Sequence, residues 1–325
     1  MFRADAKIAT TASEVGSSSE EQNNFSSSSI KTSKSSTCSK TNSTLSSVEK
    51  QNIIRYMENF KEKDKWKLTS GIYVEDQMLL LVKESSYEHL VHSLIMDPTD
   101  KVWKNYFTDA ELKEILMHDI KQLPDLSEEM EEILQQFEFQ GKTALEFYAF
   151  ADNIKAHPIN KFSKKWTKES IKSSCELFFG CEELVLDDYS ESDLLHSVWE
   201  FMYRLYQQKG IKAKLGKRVS KAVSSAKNAG RAIKAIERRP RKAMGAKLDI
   251  LFKAGIHELG SCEVGKHDFD ESDDKYINDG LLKLPKTLKD MLAVQIRSNP
   301  SKINDLVTVG YLMMGKFLLS NTVFL

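Results

Sequence analysis

Apolar and polar residues alternate through one stretch of the chain, residues 247–266. Leu248, Ile250 and Phe252 are apolar at every second position, which is the pattern of a half-buried strand. Ala254-Gly255 supplies a turn, and the sequence then returns as a second strand. The pattern predicts a hairpin around which the rest of the chain is organised.

Outside this hairpin, most apolar residues recur at the three- and four-residue spacing of helices. In the first part of the chain, helices are predicted from Ser47, over Val74 to Leu94 with a turn near Ser85-Ser86, and from a capping-box start at Thr108-Asp109-Ala110-Glu111. Further helices are predicted over Leu126 to Phe150, with an interruption at Gly141, from Tyr189 to Tyr206, and from Pro285. Residues 307–314 form an apolar run that predicts a buried strand. The fold class is therefore α+β. A helical domain at 48–184 precedes an α/β domain at 185–325, in which helices flank a mixed sheet.

The first 47 residues have no such periodicity. Fifteen of the thirty-five residues from Ser13 to Ser47 are serine. A segment this polar buries too little apolar area to offset the entropy of ordering it, so we predict a disordered tail at 1–47. At the other end, the apolar Phe324-Leu325 indicates either a docked final strand or a sequence that is cut short.

Charge matters locally rather than overall, because 47 basic and 47 acidic side chains balance. Residues 209–246 form a basic segment. With Lys247 at its end it holds fourteen Lys or Arg against one acid. Such a density favours binding to a phosphate backbone, although a solvated linker or a localisation signal has the same composition. The residues predicted to contact nucleic acid are Lys217, Arg218, Lys221, Arg231, Arg238 and Arg239.

Several classes of protein are disfavoured. The four cysteines are scattered, which argues against a zinc module and a disulfide-stapled fold. There is no signal-peptide core, no apolar run of ~18 residues, and no phosphate-binding glycine loop. We predict an intracellular protein, cytoplasmic or nuclear, with no membrane partner. His89 and His92 are spaced to ligate a metal, but without a third ligand they are more commonly packing or surface residues.

The hairpin carries acids at its ends. Asp249 comes early on the first strand, and Glu263 and Lys266 close the second. Two carboxylates can hold a hard cation such as Mg²⁺ or Mn²⁺, while a lysine stabilises charge on a phosphate. The alternative is that acids at strand ends are simply solvated.

The chain also resembles known proteins. Lys247-Leu248-Asp249-Ile250-Leu251-Phe252, Glu258-Leu259-Gly260, Glu263-Val264-Gly265-Lys266 and the run from Leu284 to Met291 look like an uncharacterised protein family of early-diverging (mucoromycete-type) fungi. The C-terminal half is similar in layout to the PD-(D/E)XK, restriction-endonuclease-like fold. That resemblance implies that Asp249 and Glu263 are the two acidic positions of the motif, and that Glu191 or Asp193 is an auxiliary carboxylate.

One departure from the nuclease motif concerns the lysine. The motif has Glu-x-Lys, which places both side chains on one face of a strand, whereas this chain has Glu263-x-x-Lys266. A bulge at Gly265 would return Lys266 to that face. Alternatively Lys286 and Lys289 supply the ammonium group from the following helix, or the function is lost. Glu258 competes with Glu263 for the second acidic position, and we prefer Glu263.

The leading hypothesis is a metal-dependent nuclease-like enzyme that cleaves phosphodiester bonds of nucleic acid. The second is an inactive protein of the same fold that binds nucleic acid or protein. The third is a purely helical scaffold. The sequence does not indicate a substrate or an oligomeric state.

Overall fold

The computed structural model describes residues 2–10, 45–118, 125–137, 143–157, 159–180, 186, 188–206, 210–229, 241–267 and 275–324. Its α-helices are α1 (Ser47–Glu58), α2 (Val74–Glu84), α3 (Asp109–Met117), α4 (Glu128–Gln135), α5 (Ala144–Asn153), α6 (Phe162–Glu176), α7 (Glu191–Asp193), α8 (Glu200–Arg204), α9 (Lys221–Lys227) and α10 (Leu284–Ser298). Short 3₁₀ turns lie at Glu62–Asp64, Leu90–Ser93, Lys101–Asn105 and Pro300–Lys302, and π-helical segments at Leu194–Val198 and Tyr276–Lys283.

One seven-stranded mixed sheet forms the other layer. Its strands are β1 (Phe2–Thr10), β2 (Ile95–Met96), β3 (Lys212–Val219), β4 (Lys247–Ala254), β5 (His257–Gly265), β6 (Thr308–Met314) and β7 (Phe317–Phe324). The strand order is β2-β1-β7-β6-β5-β4-β3. The β5–β6 and β1–β2 pairs are parallel and the other four pairs are antiparallel. The predicted mixed α/β fold class is confirmed, and a purely helical scaffold is wrong.

Local sequence signals account for several of these boundaries. The predicted capping box at α3 is present: the Thr108 amide donates to Glu111 Oε2 at 2.8 Å, and the Glu111 amide donates to Thr108 Oγ1 at 3.3 Å. The predicted hairpin is β4–β5, and the predicted buried strand at 307–314 is β6. Among the described residues, no helix combines the length and apolar character needed to cross a bilayer.

The two faces of the sheet pack against different helices. Leu251 and Leu312 lie in one core with Leu284, Leu288 and Met291 of α10. On the other side, Ile250 and Phe252 of β4 and Val264 of β5 pack against the segment from α7 to α8. Buried Trp199 anchors that segment by donating its indole N–H to the Gly315 carbonyl at 3.2 Å. The β4–β5 hairpin is therefore held from both sides.

The helical region is joined to the sheet rather than separate from it. Leu90 and Ile95 share a core with α10. β1 and β2 also belong to the sheet although both precede residue 185, where the α/β domain was predicted to begin. The structure places residues 2–10 in β1, whereas we predicted disorder for all of 1–47. The reason is that β1 takes its backbone hydrogen bonds from β7 at the far end of the chain, which no local pattern reveals. Residues 11–44 lie outside the described residues, so the prediction for them stays a prediction.

Candidate functional site at the end of the β4–β5 hairpin

Asp249 and Glu263 lie opposite each other on neighbouring strands. Ile250 of β4 pairs with Cys262 of β5. One residue further along the same antiparallel register, Asp249 faces Glu263. Residues directly opposite in such a pair project from the same face with their Cβ atoms about 5 Å apart. The Val264 amide donates to Asp249 Oδ2 at 2.9 Å, which fixes the aspartate side chain at this edge of the hairpin. The structure therefore brings the two predicted acids together.

Glu263 is almost completely enclosed, with 1% of its side chain exposed. Its Oε2 atom accepts from Lys283 Nζ at 2.9 Å, while its Oε1 atom is buried without a hydrogen-bond partner among the described residues. Burial raises the pKa of the Glu263 carboxyl to about 8, against the opposing charge of Lys283. A second positive charge beside Oε1 would favour the ionised form.

Asp249 is paired with Lys217 through an irregularity in the edge strand β3. Leu215 pairs with Ile250 and Arg218 pairs with Leu248, so Gly216 and Lys217 together oppose the single residue Asp249. This is a β-bulge, and it turns the Lys217 side chain toward the acid. Lys217 Nζ lies 2.6 Å from Asp249 Oδ1 and 3.2 Å from Glu191 Oε2. Burial opposes the charged form of Lys217, but the two carboxylates outweigh it and raise the Lys217 pKa above its ordinary value.

Lys275, Lys283 and a second aspartate complete the network. Lys275 Nζ contacts Glu191 Oε1 at 2.5 Å and Asp279 Oδ2 at 3.4 Å, and Lys283 Nζ contacts Asp279 Oδ1 at 3.3 Å. Burial of Glu191 opposes its ionisation, but Lys275 and Lys217 together lower the Glu191 pKa. Four carboxylates and three ammonium groups thus meet at one end of the hairpin.

The lysine candidates chosen from the sequence lie elsewhere. β5 pairs with β6 in unbroken register up to Gly265, so the bulge expected there is absent, and Lys266 is exposed just beyond the strand. Lys286 pairs with Glu88, and Lys289 Nζ donates to the Ser93 carbonyl at 3.1 Å. Burial lowers the pKa of Lys289. These two lysines tie α10 to the helical region instead of serving the acids.

Two acids that competed for site roles have structural partners. Buried Glu258 accepts from Ser220 Oγ at 2.7 Å, from the Lys221 amide at 2.9 Å and from the Ala222 amide at 3.1 Å. It therefore holds the start of α9. Asp193 closes a capping box with Ser190, accepting from its amide at 2.8 Å. Of the two candidates for an auxiliary carboxylate, only Glu191 contacts the network.

Sequence reasoning missed Lys275, Asp279 and Lys283 as site residues. A signal was available, since opposite charges recur every four residues and this spacing places them on one helix face. The lysines predicted from the sequence were instead Lys266, at the end of the strand, and Lys286 and Lys289, in the following helix. His89 and His92 take the packing role: His89 Nε2 lies 2.9 Å from Asp100 Oδ2, and the His89 amide donates to His92 Nδ1 at 3.1 Å.

The basic segment is only partly described. Arg231, Arg238 and Arg239 lie outside the described residues. Arg218 and Lys221 are exposed, and they follow Lys217 at the edge of the sheet. Lys212 and Lys214 of β3 are exposed as well. Within the described part of the segment, Lys217 contacts Asp249 directly, and exposed Arg218 and Lys221 follow it in the chain.

The donor set at the hairpin end matches a hard divalent cation. Mg²⁺ uses one or two protein carboxylates and completes its shell with water and substrate oxygens. Asp249 and Glu263 supply two carboxylates, and the buried Oε1 atom of Glu263 has no hydrogen-bond partner among the described residues. Within the described ranges, no group of three or more His, Cys, Asp or Glu side chains is arranged to hold a metal. A cation here would therefore depend on these two residues and on non-protein ligands.

Comparisons of the chain with protein-family models, with curated proteins and with solved structures find no match. Function must therefore be argued from the site itself.

Proposed function

We propose that this protein is a metal-dependent nuclease-like enzyme that cleaves phosphodiester bonds of nucleic acid. The observation that carries the proposal is the closeness of Asp249 and Glu263, one residue beyond the Ile250–Cys262 pair of the hairpin, with a lysine ammonium group in contact with each. A Mg²⁺ ion held by two carboxylates, together with a nearby lysine, can stabilise the negative charge that develops on a phosphate during hydrolysis.

In this proposal Asp249 and Glu263 would hold Mg²⁺ or Mn²⁺. The cation would polarise the phosphoryl oxygen and activate water. Lys283, at 2.9 Å from Glu263, would supply the ammonium group of the motif lysine from the π-helical segment before α10. Glu191 is the auxiliary carboxylate, which orients Lys217 and Lys275 around the centre.

The order of elements supports the likeness to the PD-(D/E)XK fold. The segment α7–α8 is followed by β3, by α9 and by the β4–β5 hairpin, whose first strand is the antiparallel neighbour of β3, and then by α10 and the parallel strand β6. Lys217 and Arg218 of the basic segment lie on the edge strand β3 beside Asp249, where they would contact the phosphate backbone. The likeness to the fungal family remains part of the proposal, as does a cytoplasmic or nuclear location.

The test is cleavage of DNA and RNA with Mg²⁺ or Mn²⁺. We expect wild-type protein to cleave at least one of them, and the double variant Asp249→Ala with Glu263→Ala to lose about a hundredfold or more of that activity. Chelation with EDTA should abolish cleavage. Equal activity of the two proteins would defeat the proposal.

A catalytically inactive nucleic-acid-binding module is the second candidate. The observation that favours it is the internal charge balance, because Asp249 and Glu263 each already have a lysine partner. It predicts affinity for nucleic acid that falls steeply with salt, without metal-dependent turnover. Measuring binding at several salt concentrations alongside the cleavage assay separates the two candidates.

A further inference from the structure

Lys217 sits on a strained backbone at the candidate site. Its φ angle is +34°, and the preceding Gly216 has φ +78°. A non-glycine residue in this region is uncommon and strained, so such positions persist where the surrounding structure requires them. Here the strain belongs to the bulge that carries the Lys217 ammonium group to Asp249.

The Lys217 side chain reaches the acids from the solvent side. It is 59% exposed, whereas the Asp249 side chain that it contacts is 9% exposed. Its ammonium group bridges Asp249 and Glu191, which come from different elements, β4 and α7. Lys217 therefore covers the acid that a cation would have to reach, and it can leave without disturbing the core.

Lys283 differs from Lys217 both in its exposure to solvent and in the element that carries it. It is half as exposed, at 30%, and it contacts Glu263 and Asp279 from a helical segment that packs on the sheet. Removing Lys283 would take the ammonium donor away from the Oε2 atom of Glu263, a side chain that is 1% exposed and that water cannot reach. Of the two lysines, Lys217 is the one whose displacement costs less.

We propose that Lys217 is a built-in counter-ion, which occupies the cation position at Asp249 and which a divalent cation displaces on binding. This inference rests on the metal site of the proposed function but not on cleavage. The Lys217 ammonium group partly neutralises the negative charge of Asp249 and Glu191. A divalent cation carries two positive charges and would therefore replace it. The displaced side chain lies in the basic segment, where a phosphate of nucleic acid would receive it.

The experiment measures Mn²⁺ affinity by calorimetry at fixed ionic strength, without nucleic acid. We expect Lys217→Gln to bind Mn²⁺ about five- to tenfold more tightly than wild type, because the competing ammonium group is gone. Lys212→Gln is the matched control: it removes one exposed lysine from the same strand and should change affinity less than about twofold. Asp249→Asn should remove the binding. Lys217→Arg, which keeps the charge, should stay near wild type.

The outcomes separate this inference from the proposed function. If wild type binds Mn²⁺ through Asp249 but Lys217→Gln binds no more tightly than Lys212→Gln, the counter-ion role is overturned and the metal site stands. If Lys217→Gln tightens binding and no variant cleaves nucleic acid, the counter-ion role stands and the nuclease function falls. Absence of Mn²⁺ binding in wild type and in Lys217→Gln overturns both. Circular dichroism of each variant verifies that it is folded.

Discussion

Two buried glutamates five residues apart on β5, Glu258 and Glu263, have opposite surroundings. Glu258 is 6% exposed, and its carboxylate accepts three hydrogen bonds from the start of α9. Glu263 is 1% exposed and has one lysine partner and one carboxylate oxygen without a partner among the described residues. A buried polar atom left unsatisfied costs free energy and marks a place where something other than folding is served. The comparison separates a structural acid from a candidate metal ligand.

The geometry of β5 explains why both acids are buried. Phe252 pairs with Gly260 but Lys253 pairs with Glu258, so one extra residue of β5 breaks the alternation between them. Gly260 lies at this irregularity, and a Cβ atom there would lie 2.0 Å from the Val309 carbonyl oxygen of β6, so the close approach of that strand requires glycine. The irregularity places Glu258 on the same sheet face as Glu263. Burial alone therefore does not distinguish the two roles, whereas hydrogen-bond satisfaction does.

The largest expected effect concerns the lysine that contacts Glu263. Lys283→Met should lower the rate of metal-dependent cleavage about a hundredfold, because the charge that faces the reacting phosphate is lost. Lys286→Met removes a lysine three residues further on, which pairs with Glu88, and should leave the rate within about twofold. Cleavage kinetics under single-turnover conditions measure both. A similar loss in the two variants would show that Lys283 has no special role.

The second prediction tests the structural acid. Glu258→Ala should lower the free energy of unfolding by about 2–4 kcal/mol, because buried donors at the start of α9 lose their acceptor. Glu263→Gln keeps the volume and replaces a carboxyl that holds its proton up to a pKa of about 8 with a neutral amide, so its effect at pH 7 should be under about 1 kcal/mol. Urea denaturation monitored by circular dichroism measures both. Equal losses would remove the distinction between the two glutamates.

The third prediction is a dependence of stability on pH, with a slope of at most about 1.4 kcal/mol per pH unit. The folded protein keeps the Glu263 proton up to a pKa of about 8, while the unfolded chain loses it near the ordinary value of 4.5. Between these values the unfolded state binds fewer protons, so the free energy of unfolding falls as pH rises, and it levels off above about pH 8.

Glu263→Gln should flatten this pH dependence, and Mg²⁺ should reduce it by favouring the ionised carboxylate. Urea midpoints measured across the same pH range, for wild type and the variant, provide the comparison. Parallel curves for the two proteins would contradict a raised pKa at Glu263.

Local patterns in the sequence were sufficient to predict the hairpin and several helix starts. Period-two alternation gave β4, and the Thr108 capping box gave α3, because each depends on residues close together in the chain. The meeting of Asp249 with Glu263 followed from the hairpin register. These features need no knowledge of distant segments.

Features that depend on distant segments were not predicted. β1 forms only because β7 offers a partner strand, and Lys283 reaches Glu263 because a π-helical segment crosses the end of β5. The bulge at Gly216-Lys217 was also missed, because positive backbone angles there become evident only in the paired strand. Of the predicted lysines, Lys266 is excluded by strand alternation at Glu263-x-x-Lys266, and Lys286 and Lys289 of α10 contact residues 88–93 instead.

The tie between α10 and the helical region has a consequence for inheritance. Leu284 and Leu288 of α10 share a core with Leu90 and Ile95, while Lys286 and Lys289 are held by residues 88–93. A gene fragment that encodes residues 185–325 alone would leave this side of α10 bare to water. We therefore expect recombination to transfer a folded acidic centre only together with its helical companion.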